Sequence, residues 1–323
     1  MAYNTLHTKG PANVDALLAT TREQILRLQP FLQDQVFTSA ALLKQLQLKS
    51  QVISQGGASI LVPVMFGKNT NALAYAGDDT IGTTGVEGLS MAQFSWRNYA
   101  VPITLTGHEI RQNAGEKLID LAKAKTEQSI MSLKDRINID MFQSSQDAKK
   151  ISALPILVDA TSSVGDINST TYSWWQAQVI ASGSFAAQGL ADLRNARDLS
   201  MQQGQSGSGA PDMLLTTRLI YELYEASQVP GIRYEDSRMA NAAFESLKFG
   251  VASVFFDPNV ATGEAYMLPS EALKLVVHKD ANMDIGEFKE PTDQDMRVAK
   301  VIMMLNLVTT NRRRLVKLTG ITA

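Results

Sequence analysis

Histidine and glutamate stand side by side in "GHEIRQ" (107–112), a run that opens like the helix of a zinc protease. In such a helix two histidines four apart hold the metal, and the glutamate takes a proton from the bound water. Position 112 is Gln, so the second ligand is missing. "DANMDIGE" (280–287) sets Asp280, Asn282 and Asp284 at the first, third and fifth places of a calcium loop. Ile285 occupies the turn position that needs glycine, and Pro291 stands where the bidentate glutamate belongs. "GQSGSG" (204–209) departs from a nucleophile elbow at Ser208. "FGKN" (66–69) has Lys68 after a glycine but lacks the rest of a phosphate loop, and Gly115 reads as a helix-start feature. The chain has no cysteine, which excludes disulfides, thiolate metal sites and thiol nucleophiles. Its three histidines (His7, His108, His278) are far apart in sequence. No catalytic residue, cofactor site or metal site is expected, and the chain does not read as an enzyme.

Two clusters remain that could bind rather than react. "NRRRLVKL" (311–318) could contact phosphate, or could be a strand whose arginines fork onto carboxylates of this or a neighbouring subunit. Side chains alternate across a strand, so Arg312 and Arg314 would share a face and Arg313 would point away. The apolar run upstream, "VIMMLNLV", predicts that this strand sits in the same core sheet. The formal charge of −2, from 30 basic and 32 acidic residues, favours the carboxylate reading over a nucleic-acid one. "SWW" (173–175) could be a stacking platform, but paired tryptophans at a helix start read better as packing anchors.

These residues need elements to position them. Residues 13–29 predict an amphipathic helix capped by Asn13 and stopped by Pro30, with a shorter helical piece at 39–47. Strand-like runs at 59–66 and 94–105 flank "GKNTNALAYAGDDTIGTTGVEGLS" (67–90), with five glycines and four threonines in 24 positions. Compact domains rarely carry so long an irregular loop without a use for it. Pro63 and Pro102 each remove a ladder donor, which suits open edges. Residues 116–145 predict the strongest helix, with Leu118, Ala122, Ile130, Leu133, Ile137 and Met141 on one face. At ~1.5 Å per residue it would run roughly 45 Å, as a spine. Further helices are expected at 174–180, 185–202 and 217–227, a connector at 203–211, a strand at 212–216, and mostly strands from 249 on. The fold class is α+β. Arm and ribbon bury too little within one copy, so contact with other copies is their natural use. No apolar run of ~18 residues predicts a membrane span. The first residues lack the basic start and apolar block of a secretory leader, so a cytoplasmic beginning is expected.

In this order the elements resemble the major capsid proteins of tailed bacteriophages. The strings "NAGEKLIDL" (113–121), "VGDINSTTYSWW" (164–175), "VFFDPNVATGEAYML" (254–268), "VHKDANM" (277–283), "DQDM" (293–296) and "NLVTTNRRRL" (306–315) are similar to one branch of that family. The resemblance implies an N-terminal arm (1–50), an extended β-ribbon loop with its base (51–106) and a spine helix of a peripheral domain (107–150). It further implies a mostly axial domain (151–275) and C-terminal strands of the peripheral domain (276–323). It implies an icosahedral head shell of pentamers and hexamers, self-assembled in a host cytoplasm and carried in the virion. Inter-subunit contacts would fall to Lys68, Asn69, Tyr75, Asp78, Asp79, Trp96, Arg313 and Arg314. Partners would be other copies, a separate scaffolding protein, a portal, and double-stranded DNA touched non-specifically on the inner face, with no membrane. Two family features are not carried over. One is a Lys–Asn crosslink, for which Lys68 has no identifiable partner. The other is a cleaved scaffolding region ahead of the arm helix. An encapsulin-like compartment shell shares the fold and is the alternative.

Overall fold

The structure, a computed structural model, describes residues 41–77, 79–112, 116–202, 209–228 and 247–323, with side chains at 116–120 left aside. The expected arm helix at 13–29, Asp78, Leu118 and most of the connector lie outside the described residues. In chain order the described elements begin with α1 (Ala41–Leu48), β1 (Val52–Gln55), β2 (Ile60–Met65), β3 (Leu89–Phe94) and β4 (Arg97–Thr106). Helices α2 (Gly107–Gln112) and α3 (Glu116–Met141) follow, then β5 (Gln178–Ala181), α4 (Leu190–Gln202), β6 (Met213–Thr216) and α5 (Arg218–Ser227). The last part is all strand: β7 (Leu247–Phe249), β8 (Ala252–Phe256), β9 (Ala265–Leu268), β10 (Leu273–His278), β11 (Asp284–Ile285), β12 (Met296–Thr309) and β13 (Val316–Thr319). The mixture is α+β, as the sequence patterns imply. Among the described residues no helix is long and apolar enough to cross a membrane.

Two sheets and a ribbon organise these elements. The first sheet runs β1-β10-β12-β11, with β4 on the other side of β12; the second runs β5-β13-β9-β6-β8-β7; β2 and β3 pair only with each other. Strand β12 is the backbone of the first sheet. It pairs antiparallel with β4 from Met296↔Thr106 to Leu305↔Arg97. Along β12, Ala299, Val301, Met303 and Leu305 are buried while Lys300 and Ile302 face out, a strict period of two. Their partners Ile103 and Tyr99 are buried on the same face. Helix α3 covers that face with Ala122, Ile130, Leu133, Ile137 and Met141, the predicted stripe. Its 26 residues give about 39 Å at ~1.5 Å per residue. Pro102 lies on β4, whose far edge has no partner strand among the described residues, so its missing N–H costs nothing there.

Several expectations are corrected. The return arm is not one strand over 94–105: β3 ends at Phe94 in the ribbon, and β4 starts at Arg97 in the first sheet. The break is held by Trp96, whose indole N–H donates to the Gly57 carbonyl at 2.8 Å, and by Asn306, whose amide donates to the Ser95 carbonyl at 2.8 Å. Residues 174–180 are not a helix. A single 3-10 turn (Ser173–Trp175) leads into β5, which pairs parallel with β13. The arginine run is not a strand either, since Arg312–Arg314 form a 3-10 turn and pairing starts at Val316. That last strand joins β5 and β9 in the second sheet, not β12 in the first.

Helix α2 explains the apparent metal motif. Thr106 and Glu109 form a reciprocal cap. The Thr106 N–H donates to the Glu109 carboxylate at 2.9 Å, and the Glu109 N–H donates to the Thr106 hydroxyl at 3.3 Å. Lys125 of α3 donates to the same carboxylate at 2.8 Å and to the Thr104 carbonyl at 2.9 Å, tying α3 to the end of β4. Lys125, with the N–H and hydroxyl of Thr106, lowers Glu109 from its ordinary 4.5 to about 2. The folded-state value lies below the unfolded one, so this stabilisation is complete above about 4.5 and is lost as pH falls through about 2. Glu109→Gln is therefore expected to lower the thermal midpoint at pH 7. The gap from the native chain should narrow steadily in melts taken from pH 4.5 downwards.

Candidate subunit interface

The ribbon has two faces, and both are apolar. Ile60, Val62 and Val64 of β2 and Ala92 and Phe94 of β3 point into the body and are buried. On the opposite face Pro63 stands across from Met91, and Met65 across from Leu89, with Leu61 beside them. These side chains are open: Leu61 46%, Met65 67%, Leu89 74% and Met91 55% exposed. Covering such a side chain contributes ~1.5–3 kcal/mol. Beyond the strands the loop adds Leu73, Tyr75 and Ile81, also exposed.

The body grips the ribbon at its root. Gly165 and Asp166 both have positive φ, 63° and 60°, between Val164 and Ile167, which pair with each other. That is the geometry of a tight hairpin turn. The carbonyl of Gly165 accepts from the Gln93 N–H at 3.0 Å, and a Cβ there would stand 2.9 Å from the Cβ of Ala92. Phe66 stacks on Trp174 with centroids 4.7 Å apart. Trp175 is buried, its indole donating to the Val164 carbonyl at 2.8 Å. The tryptophans are packing anchors, and what they anchor is the ribbon.

The sequence-predicted contact residues fall in three places. Lys68, Asn69, Tyr75 and Asp79 are on the exposed loop. Within it the Asn69 side chain accepts from the Asn71 N–H at 2.9 Å. The Asp79 carboxylate accepts from the Ala76 N–H at 2.9 Å, so both are spent on local turns. Trp96 is half-buried in the body, edge-on to His278 at 5.0 Å. The arginine turn alternates as foreseen, although it is not a strand: Arg312 and Arg314 are buried and Arg313 is exposed. Arg314 finds its carboxylate inside the chain, donating to Glu271 at 3.2 Å and to the Gly209 carbonyl at 2.6 Å. Lys68, Arg313 and Arg314, far apart in sequence, line one open cleft of about 680 Å³ at the ribbon's root.

Arg312 escaped the sequence reading. It is fully buried and has no carboxylate at ion-pair distance among the described residues. Its guanidinium donates to the carbonyls of Leu157 at 2.9 Å, Ser162 at 2.8 Å, Ile156 at 3.1 Å, Asp159 at 2.6 Å and Trp175 at 3.2 Å, and to the Ser169 hydroxyl. Burial pulls it down to about 10, which leaves it charged at neutral pH. Alternation separates it from Arg313, but no sequence signal separates it from Arg314 or announces the carbonyl cage. The outer ribbon face was missed too, although "SILVPVMF" is apolar at both parities, the pattern of a strand covered on both sides.

No protein-family model and no curated protein matches this sequence. Solved structures do. The capsid of cyanophage A-1(L) is similar at TM-score 0.57 and 13% identity, over 84% of this chain and 91% of that one. A virus-like particle from Pyrococcus furiosus is similar at TM-score 0.54 and 14% identity, over 90% of this chain and 97% of that one. The encapsulin of a holo complex from Synechococcus elongatus is similar at TM-score 0.56 and 8% identity, over 85% and 87%. This chain has the tailed-phage capsid fold. Phage capsids and encapsulins share it.

Within this capsid fold the Arg312 cage is the joint between body and ribbon root. Arg312→Met would leave several buried carbonyls without donors, at ~1–3 kcal/mol each. Lysine keeps the charge but offers only three donors to six acceptors. Thermal melts of the unassembled chain should show both Arg312→Met and Arg312→Lys strongly destabilised, with Arg313→Lys unchanged. A native midpoint for Arg312→Lys would contradict the cage.

Proposed function

We propose that this chain is the major capsid protein of a tailed phage, a coat subunit that assembles with its own copies into pentamers and hexamers around a double-stranded genome. The observation that carries this reading is the ribbon's outer face. A chain with this fold leaves Leu61, Pro63, Met65, Leu89 and Met91 in one exposed apolar strip. In water such a strip is a cost, and a neighbouring copy is the cover that a shell supplies. In this proposal 1–50 is the arm, 51–106 the extended loop and 107–150 the spine segment. Most of 151–275 is axial, and the C-terminal strands complete the peripheral side, apart from β13. Each contact is modest, and closed symmetry multiplies it. Scaffold and portal proteins direct assembly, the inner face meets DNA without reading its sequence, and the role is structural rather than enzymatic.

A compartment shell is the second reading, favoured by the similarity to the Synechococcus elongatus encapsulin, which covers 85% of this chain. The strings at 164–175, 254–268 and 306–315, which are similar to phage coats, favour the first. Particle contents separate the two: a genome for a phage, a protein cargo for a compartment.

Sedimentation or light scattering of the purified chain, with scaffold where needed, should show species far above 35.2 kDa. A chain that stays monomeric in every such condition would sink the proposal. Replacing residues 69–87 by a short turn should leave circular dichroism unchanged, because the loop side chains add nothing to the core. The same variant should fail to form regular shells in micrographs.

A further inference from the structure

The cleft at the ribbon's root holds charge that the described residues leave unbalanced. Lys68 stands on one wall, where the ribbon leaves the body, and Arg313 on another, at the 3-10 turn. Both side chains are exposed, and neither has an ion-pair partner among the described residues. Arg314, in the same cleft, already has Glu271 at 3.2 Å, so that carboxylate is spent. Gln202 lines the cleft, and the Gly209 carbonyl accepts from Arg314. The residues between, "QGQSGS" (203–208), carry no acid. Two cations without an ion-pair partner among the described residues thus face an open polar volume of about 680 Å³, a size typical of ligand sites at about 300–1,000 Å³.

We propose that this cleft is a receptor for an acidic side chain of a second copy of the chain, held by the Arg313 guanidinium with Lys68 as the second donor. Charge complementarity sets the class of ligand. Position sets its source: Met65 lines the cleft and also belongs to the exposed apolar strip, so cleft and strip form one continuous surface. The proposal therefore rests on the shell reading. A nucleic-acid backbone fits less well, because a polyanion needs a track of cations, and of the three in this pocket one, Arg314, is paired with Glu271. Guanidinium takes a carboxylate by two parallel hydrogen bonds, which would fix the angle between neighbouring subunits as well as their attraction.

The test is the double variant Lys68→Gln with Arg313→Gln, compared with the native chain in three measurements. Thermal midpoints of the unassembled chains should coincide. The concentration at which shells form should rise about tenfold, equivalent to ~1.4 kcal/mol. Salt should weaken assembly of the native chain more than that of the variant. The charge-conserving pair Lys68→Arg with Arg313→Lys should recover most of the loss. A lowered midpoint in the double variant would mean that the counter-charge comes from the same chain, and would overturn the proposal. Normal empty shells with reduced DNA content would overturn it in favour of phosphate contact. A double variant that assembles as well as an assembling native chain overturns the receptor and leaves the shell reading standing. A native chain that never associates overturns both.

Discussion

One buried guanidinium substitutes for a missing strand ladder. Between Leu154 and Ala177 the chain crosses from one sheet to the other, mostly without regular structure. Buried backbone without a ladder needs other partners for its carbonyls. Arg312 supplies them from a single point, and it has five N–H donors to do so. The ordinary objection to a buried charge is desolvation, and here it is visible as the drop of Arg312 to about 10. Five carbonyl dipoles and a hydroxyl offset enough of it to keep the group ionised. A neutral residue of similar size could not gather so many acceptors.

The ribbon inherits its direction from this cage. The caged segment carries Trp174, on which Phe66 stacks, and the hairpin turn whose Gly165 carbonyl holds β3. Isolated two-stranded ribbons are at best marginal in water. This one is stable on its inner face only because Ile60, Val62, Val64, Ala92 and Phe94 pack into the main core. The three-residue arginine turn divides its labour by geometry. Arg312 goes inward to the crossover, Arg314 inward to Glu271 and Gly209, and Arg313 outward into the cleft. The residue proposed to meet a partner is therefore mounted between two buried ones.

Periodicity made the first sheet and the long helix legible. Strand β4 alternates along its length and β12 from Ala299 to Leu305, and the buried stripe of α3 falls where the apolar residues recur. Where tertiary partners overrule local pattern, the sequence misleads. Residues 174–180 look helical in isolation, yet 178–181 extend because β13 offers a parallel edge. The arginine run has the alternation of a strand, but Arg312 reaches its six acceptors from a 3-10 turn. "GHEIRQ" resembles a metal helix only while Thr106 is ignored; with it, the spacing Thr-x-x-Glu is a capping box. The shared cleft of Lys68 and Arg313 was not legible at all, since no local rule brings residues so distant in sequence together.

The loop beyond the ribbon is less uniformly pliable than its five glycines imply. Gly67 and Gly88 face each other where the strands end. The Phe66 N–H donates to the Gly88 carbonyl at 2.9 Å, and a Cβ on Gly88 would stand 2.9 Å from the Gly67 carbonyl oxygen. That pair is glycine because two backbones touch, which makes the crossing a fixed point. Farther out the constraints change character: Asn71 donates to the Thr84 carbonyl at 2.5 Å, and the rest of the loop is held by local turns. In the proposed shell, where a subunit would meet neighbours at slightly different angles, this division would be needed. The root sets where the apolar strip and the cleft face. In that proposal only the loop past the Gly67–Gly88 crossing would follow the partner, and adjustment there would leave the strip and the Arg313 wall undisturbed.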